Sequence, residues 1–249
     1  MIKTSFKESF RLIGRSKPEC LAYLAIICLS EVLVLALSKW FGVDYPLRDG
    51  KPDTARLAYT LAFSLPGFML TAWAGAGLIG RISMDALTGD PGAMTGYANG
   101  WFWRNLAGSI AVVTTIFLPI MLLLMLPMPF AIVPVLGWFC VVIWLAIRVS
   151  LWGSIMFMDG LGPFAAMERS FNVSLGYVGT IVILSLPVLA AAVLGNGAIN
   201  LAGNVAISAA ILKPLLMGAA TLVQMGALAA AYNGIRKSMS SEPQERGEA

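Results

Sequence analysis

The chain contains no histidine and few charged residues, and each deficit excludes a class of protein. Without histidine it lacks the commonest general base, the commonest metal ligand and the side chain that titrates closest to neutral pH. Asp, Glu, Lys and Arg make up only 12% of the 249 residues, about half the share found in soluble domains. A chain with so little charge cannot cover its surface with polar groups, which excludes a soluble globular protein and a disordered one.

Cysteine is also scarce, and its placement argues against metal binding and against a disulfide framework. Cys20, Cys28 and Cys140 lie in or beside apolar stretches, and no two of them form a CxxC pair. Thiols in such surroundings act as small hydrophobic side chains. With no histidine and no CxxC pair, we expect no metal, and we expect no cofactor. The chain also lacks a basic stripe with interleaved aromatic residues, so we expect no nucleic-acid partner.

Apolar residues are abundant, at 58% of the chain with a mean hydropathy of +0.80. A helix needs roughly 20 mainly apolar residues to cross a bilayer, and six stretches meet that length. We therefore predict an all-α membrane protein with one polytopic domain over residues 1–237 and a disordered cytoplasmic tail over 238–249. The predicted spans are residues 20–37, 58–79, 106–126, 131–151, 178–194 and 214–235.

The first span has an alternative interpretation as a cleaved signal peptide, because Ala36-Leu37-Ser38 resembles a cleavage site. The long basic leader and Glu31 within the apolar core favour a retained anchor. Most Lys and Arg residues of the short loops fall on one side if the N-terminus is inside. This distribution predicts a multi-pass protein with both termini in the cytoplasm.

Amphipathic segments precede three of the spans, and we predict that each is an interfacial helix. Their apolar stripes are Phe6, Phe10 and Ile13; Met94, Tyr97 and Trp101; and Phe164, Met167, Phe171 and Leu175. Because two spans follow each segment, the chain is interpreted as three units of an interfacial helix plus a transmembrane hairpin. Ser5-Phe6 and Ser9 match Ser170-Phe171 and Ser174 at the same spacing. The first interfacial helix is basic, and we expect Lys3, Lys7, Arg11 and Arg15 to contact anionic phospholipid.

The layout and the sequence of residues 159–171, DGLGPFAAMERSF, resemble the YciC-like family of six-span bacterial inner-membrane proteins. They are also similar to the membrane domain fused before glycerophosphodiester phosphodiesterases. The shared features are a Gly-Pro turn after the fourth span, a Glu-containing interfacial helix and a long fifth span. Glu168 and Ser170 are one residue closer together than in the family pattern. The resemblance implies membrane placement and no defined chemistry.

Several polar residues within the apolar stretches are candidates for a polar pathway or pocket. Glu31 lies inside the first span, where a carboxylate serves either as a proton or cation site or as a hydrogen-bonded structural group. Arg148, near the inner end of the fourth span, either snorkels to the interface or pairs inside the bundle. Asn196, Asn200, Asn204 and Ser208 recur every four residues before Lys213, as a polar stripe on a helix would. That segment is interpreted as re-entrant, interfacial or part of a span, with either a wet pocket or interhelical hydrogen bonds.

One apparent nucleotide motif has a simpler explanation. Residues 75–80 spell GxGxxG, but they end an apolar stretch instead of following a strand. Small residues at four-residue spacing predict close helix packing there. With no histidine and no catalytic pair at depth, we expect a non-enzymatic protein that organises the membrane or handles a lipid or small solute. The alternatives are an immunity or interaction protein that protects against a membrane-targeting toxin, with a protein partner in the membrane, and a proton- or ion-coupled carrier.

Overall fold

The structure is a computed structural model that describes residues 1–40, 47–48, 51–52, 54–123, 128–201 and 206–245. Side chains are described over 1–37, 40, 64–116, 118–120, 122–123, 133–195 and 211–240. The helices are α1 (Ile2–Arg15), α2 (Lys17–Trp40), α3 (Thr54–Thr88), α4 (Met94–Leu123), α5 (Met128–Val149), α6 (Trp152–Met158), α7 (Pro163–Ser174), α8 (Val178–Leu201) and α9 (Ala206–Glu245). A 3₁₀ turn, Leu175–Tyr177, joins α7 to α8, and the two-residue strands β1 (Leu47–Arg48) and β2 (Lys51–Pro52) pair antiparallel.

The described residues include five helical stretches that are long and apolar enough to cross a membrane. They are Lys17–Leu37, Met94–Ile120, Val133–Met158, Pro163–Gly195 and Ile211–Ser240. Each contains or overlaps one of the predicted spans, so the helical, apolar segments are those of an integral membrane protein. The remaining predicted span, 58–79, lies within α3, but its side chains before Ser64 fall outside the described part. Six spans therefore stay a prediction.

The buried core lies at one end of the helices, which we call the packed end. It is formed by α1, α6, α7, the N-terminal parts of α2 and α8, the C-terminal parts of α3 and α9 and the first turns of α4. There α3, α6 and α9 contact one another, and their fully buried side chains include Leu78, Ile82, Ile155, Tyr232 and Ile235. Away from that end the helices expose large apolar side chains, which suits a surface covered by lipid. Examples are Leu29, Leu33, Leu136, Phe139, Leu189 and Val193.

The three amphipathic segments pack on neighbouring helices at the packed end, with small residues on one side or the other of each contact. Helix α1 buries Ser5, Ser9 and Leu12 and packs on α9, where the Ser9 hydroxyl donates a hydrogen bond to the Val223 carbonyl at 2.8 Å. Phe10, predicted to lie in the apolar stripe, is 62% exposed. The packed face is therefore that of the serines, whose small side chains allow a close approach of backbones, while Phe10 stays exposed as the predicted interfacial stripe requires.

The other two segments follow the same principle. Helix α7 buries Ala166, Ser170 and Ser174 against the α5–α6 junction, while Phe164 and Leu175 are exposed. The first turns of α4 pack on the glycine-rich stretch of α3. A Cβ on Gly77 would lie 2.7 Å from the Met94 carbonyl oxygen, and one on Gly80 would lie 2.7 Å from atoms of Tyr97 and Phe157. The interpretation of residues 75–80 as a helix-packing motif is therefore confirmed.

The structure differs from two further predictions, that of a disordered tail and that of a single asparagine stripe. The tail predicted to be disordered from residue 238 is helical as far as Glu245, and residues 246–249 lie outside the described part. Serine hydroxyls bond locally there, since Ser238 donates to the Ile235 carbonyl and Ser240 to that of Lys237. The asparagine stripe is divided between two helices, with Asn196 and Asn200 on α8 and Ser208 on α9. Asn204 lies outside the described residues.

Candidate functional site

A groove of about 410 Å³ runs between α7 and the end of α9. Its polar wall is one face of α7, because Glu168, Arg169 and Asn172 fall within a single arc of that helix. Its apolar lining comes from Leu161, Ala165, Val173 and Met239. An opening with a charged wall and an apolar floor, beside a helix at the packed end, suits an amphiphile better than a small polar solute.

Arg169 is held at this groove by a cluster of ionic and hydrogen-bonding contacts. Its Nε lies 3.1 Å from the Asp159 carboxylate and donates to the Tyr232 hydroxyl at 3.1 Å. Tyr232 donates in turn to Asp159, which also pairs with Arg236 at 3.2 Å. The Asp159 side chain is 8% exposed, whereas both arginines remain nearly half exposed. One buried carboxylate therefore fixes the positions of two cations that still reach the surface.

A second ionic cluster joins α1, α2 and α3. Arg15 pairs with the fully buried carboxylate of Asp85 at 2.7 Å, and Arg81 pairs with Glu19 at 3.2 Å. Arg81 Nε also donates to the Ser16 hydroxyl at 3.1 Å. These contacts connect the start of the chain to the end of α3. Their positions explain why α1 is part of the packed end instead of a free interfacial helix.

The four cations predicted to contact anionic lipid have different surroundings. Lys3 and Lys7 are exposed on α1, and Arg11 is exposed and pairs with Glu8 one turn earlier. Arg15 is engaged by Asp85, although 46% of its side chain remains exposed. Three of the four therefore offer their charge to an anionic surface, and the fourth has mainly a structural contact.

Arg148 occupies a setting that neither sequence interpretation anticipated. It is 2% exposed, so it does not snorkel to the surface, and no described carboxylate pairs with it. Its guanidinium carbon lies 4.1 Å from the centroid of the Phe171 ring and 5.7 Å from that of Trp144. Among the described residues, its Nε and Nη1 have no hydrogen-bond partner. Cation–π contacts with two aromatic rings stabilise a guanidinium by about 1–4 kcal/mol together. This is less than the several kcal/mol that removing a guanidinium from water costs.

The backbone beside Arg148 is satisfied by α7. The Arg148 carbonyl accepts hydrogen bonds from the hydroxyls of Ser170 at 2.8 Å and Ser174 at 3.2 Å. Ser170 Oγ also accepts from the Leu151 N–H at 3.2 Å. These bonds cap the end of α5, where the chain breaks before α6, and they fasten α7 across it. Ser170 and Ser174, which match Ser5 and Ser9 in the sequence, therefore hold α7 against its neighbours, as the serine face of α1 holds that helix against α9.

A second, apolar groove of about 190 Å³ lies on the other side of α7, between that helix, α4 and α5. Phe164 and Met167 form its α7 wall, so α7 separates a polar groove from an apolar one. The remaining lining residues are Ala111, Val112, Thr115, Ile116, Leu145, Ala146 and Val149. This arrangement is compatible with acyl chains on one side of α7 and headgroups on the other.

The residues predicted to form one polar pathway are divided between two ends of the molecule. Glu31 is exposed on α2, one turn beyond Cys28, whose thiol lies 3.9 Å from the Ile211 carbonyl near the start of α9. Lys213 is exposed at that same end and lies beside Gly195. Arg148 lies at the packed end. The side chains of Asn196, Asn200, Asn204 and Ser208 are outside the described part, and neither groove is lined by Glu31, Arg148 or Lys213.

Sequence reasoning missed the residues that position Arg169. Asp159 was noticed only within a Gly-rich turn, and Tyr232 and Arg236 were not singled out. Their contacts join residues 73 apart along the chain, and no local spacing reveals such a pairing. The one available signal was an aspartate beside Gly160 at the end of an apolar stretch, because a charge there needs a partner or water.

No protein-family model matches the chain, and no curated protein and no solved structure matches it.

Proposed function

We propose that this chain is a six-span, non-enzymatic protein of the bacterial inner membrane that binds phospholipid headgroups at the cytoplasmic leaflet. The observation that carries the proposal is the groove between α7 and α9, with Arg169 and Glu168 on one wall and apolar residues on the floor. Phospholipids join a charged headgroup to apolar chains, and this lining offers both kinds of contact. The apolar groove on the opposite side of α7 supports the same conclusion.

Anionic phospholipid is the partner that the charges favour. Lys3, Lys7 and Arg11 are exposed on α1, and clusters of such cations attract anionic lipid by about 1 kcal/mol each near the surface. Both termini are then cytoplasmic, since these residues and the end of α9 lie together at the packed end. The packing of α1 on α9, of α4 on α3 and of α7 on α5 and α6 supports three units of an interfacial helix plus a hairpin.

Blocking the groove tests the proposal without disturbing the ion pairs. Ala165 lines the groove and is exposed, so Ala165→Phe fills space without removing a hydrogen bond. We expect the variant to need about tenfold more phosphatidylglycerol than the parent for half-maximal thermal stabilisation in neutral detergent, a loss of about 1.4 kcal/mol of binding. Ala25→Phe is the matched control, because Ala25 is exposed on the apolar surface of α2 beside Leu21 and Leu29.

Two other outcomes would contradict different parts of the proposal, the location of the site and lipid binding itself. Equal stabilisation of both variants and the parent would remove the groove as the binding site. No stabilisation of the parent by phosphatidylglycerol, and no retained phospholipid in the purified protein, would contradict lipid binding itself.

A further inference from the structure

Arg148 is a buried cation with no anionic partner in the part of the chain whose side chains are described. Its guanidinium is stacked by Phe171 and Trp144, while Nε and Nη1 have no acceptor among the described residues. Ser170 and Ser174 are engaged with the Arg148 backbone carbonyl, so their hydroxyls do not serve the side chain. Aromatic faces attract a cation but accept no strong hydrogen bond, which leaves donors that an oxyanion would satisfy.

Trp144 lies against this guanidinium, with its ring centroid 5.7 Å from the guanidinium carbon, and is itself at the surface. The indole is 50% exposed on α5, and its ring meets the Phe171 ring edge-on at a centroid distance of 5.2 Å. Neighbouring side chains on the same surface, such as Val141 and Ile143, are also exposed and apolar. Trp144 is therefore the exposed member of this cluster, and it takes no part in the serine contacts that hold α7.

We infer that Arg148, Trp144 and Phe171 form a site for a phosphate group, separate from the groove between α7 and α9. The inference rests on the proposed lipid-binding function for the source of the phosphate, which is the headgroup of a phospholipid lying against α5. Arg148 is in the last turn of α5, beside the interfacial helix α7, so it lies near the depth at which phosphates of that leaflet are found. The planar guanidinium suits phosphate because its donors match phosphate oxygens in geometry.

Thermal stabilisation in neutral detergent separates the sources of the anion. Phosphatidylglycerol, diacylglycerol with the same acyl chains and inorganic phosphate are titrated separately against the full chain. The parent should be stabilised by phosphatidylglycerol and not by diacylglycerol. Arg148→Gln should raise the half-maximal phosphatidylglycerol concentration about tenfold, while its unliganded melting temperature equals or exceeds that of the parent, because an uncompensated buried charge has been removed.

Arg104→Gln is the matched control. Arg104 also stacks on an aromatic ring, with its guanidinium carbon 4.7 Å from the Trp101 centroid, but it is exposed. Its replacement should leave the titration within about twofold of the parent. If Arg148→Gln does not fold, Arg148→Lys keeps the charge but loses the planar donor set, and should shift the titration in the same direction by a smaller factor.

Each result decides the matter. Unchanged titration of Arg148→Gln, alongside a shifted Ala165→Phe, overturns the phosphate site and leaves lipid binding in place. Equal stabilisation by phosphatidylglycerol and diacylglycerol also overturns it, since phosphate is then not recognised. Stabilisation by inorganic phosphate alone, abolished in Arg148→Gln, supports the anion site with a soluble phosphate as its ligand. A parent that responds to none of the three overturns both proposals.

Discussion

At the scale of single residues, the absence of a side chain sets how closely α1 approaches α9. A Cβ added at Gly226 would lie 2.5 Å from Ser9 Oγ and 3.0 Å from its Cα, so one of the helices would have to move. Gly234, two turns later on the same helix, has no neighbour within 4 Å of such an atom. A Gly→Ala substitution should therefore change the free energy of unfolding in opposite directions at Gly226 and Gly234.

We expect Gly226→Ala to lower the free energy of unfolding by about 1–3 kcal/mol, because it overpacks a tight contact. Gly234→Ala should raise it by up to about 1 kcal/mol, since alanine favours a helix more than glycine does. Denaturation of both variants in mixed detergent micelles measures the difference. A Gly226→Ala variant as stable as the parent would show that α1 is not seated against α9 in this way.

At the scale of elements, α7 is defined by three faces with three different environments. Its serine face is fastened to the end of α5, its aromatic face borders the apolar groove, and its polar face borders the groove with Arg169. The match between Ser5, Ser9 and Ser170, Ser174 predicted a shared role for the two helices. In the structure both serine pairs are buried against a neighbouring helix.

Ser170→Ala should weaken the packing of α7 against α5 and α6 without affecting the other interfacial segments. The substitution leaves the buried Leu151 N–H without its 3.2 Å acceptor and the Arg148 carbonyl with one donor fewer, a loss of about 1–3 kcal/mol. Hydrogen exchange should therefore speed up across residues 163–174 and remain unchanged in α1. Thr221→Ala is the control, because in the described structure the Thr221 hydroxyl bonds only to the Met217 carbonyl of its own helix, and Thr221 lines neither groove beside α7. Equal acceleration in both variants would contradict this role for Ser170.

At the scale of the whole molecule, the core is concentrated at the packed end, and the ionic clusters lie there too. Lipid can cover the apolar side chains exposed elsewhere, but it cannot satisfy Asp85 or Asp159. Both carboxylates are buried and paired with arginines from other helices. The molecule therefore depends on protein contacts at one end and on the bilayer over the rest of its length.

Six spans require both chain ends on one face of the membrane and the β1–β2 segment on the other. In a variant whose three cysteines are replaced by alanine, Lys51→Cys should react with a membrane-impermeant maleimide in spheroplasts with an intact inner membrane. Lys3→Cys and Ser240→Cys should react only after lysis. Labelling of Lys3→Cys and Ser240→Cys from opposite faces would establish an odd number of spans instead.

The sequence by itself determined the membrane class, the approximate positions of the long apolar helices and the glycine-mediated packing of α3. These properties depend on apolar runs and short spacings, which are local in the chain. Only the tertiary structure decided which partner each charge has. Arg15 meets Asp85 at a separation of 70 residues, Tyr232 meets Asp159 at 73, and Arg148 is stacked by two aromatic rings, with no carboxylate beside it among the described side chains. The energy of a buried charge depends on the few groups that surround it in space, and that environment is assembled only when distant helices pack.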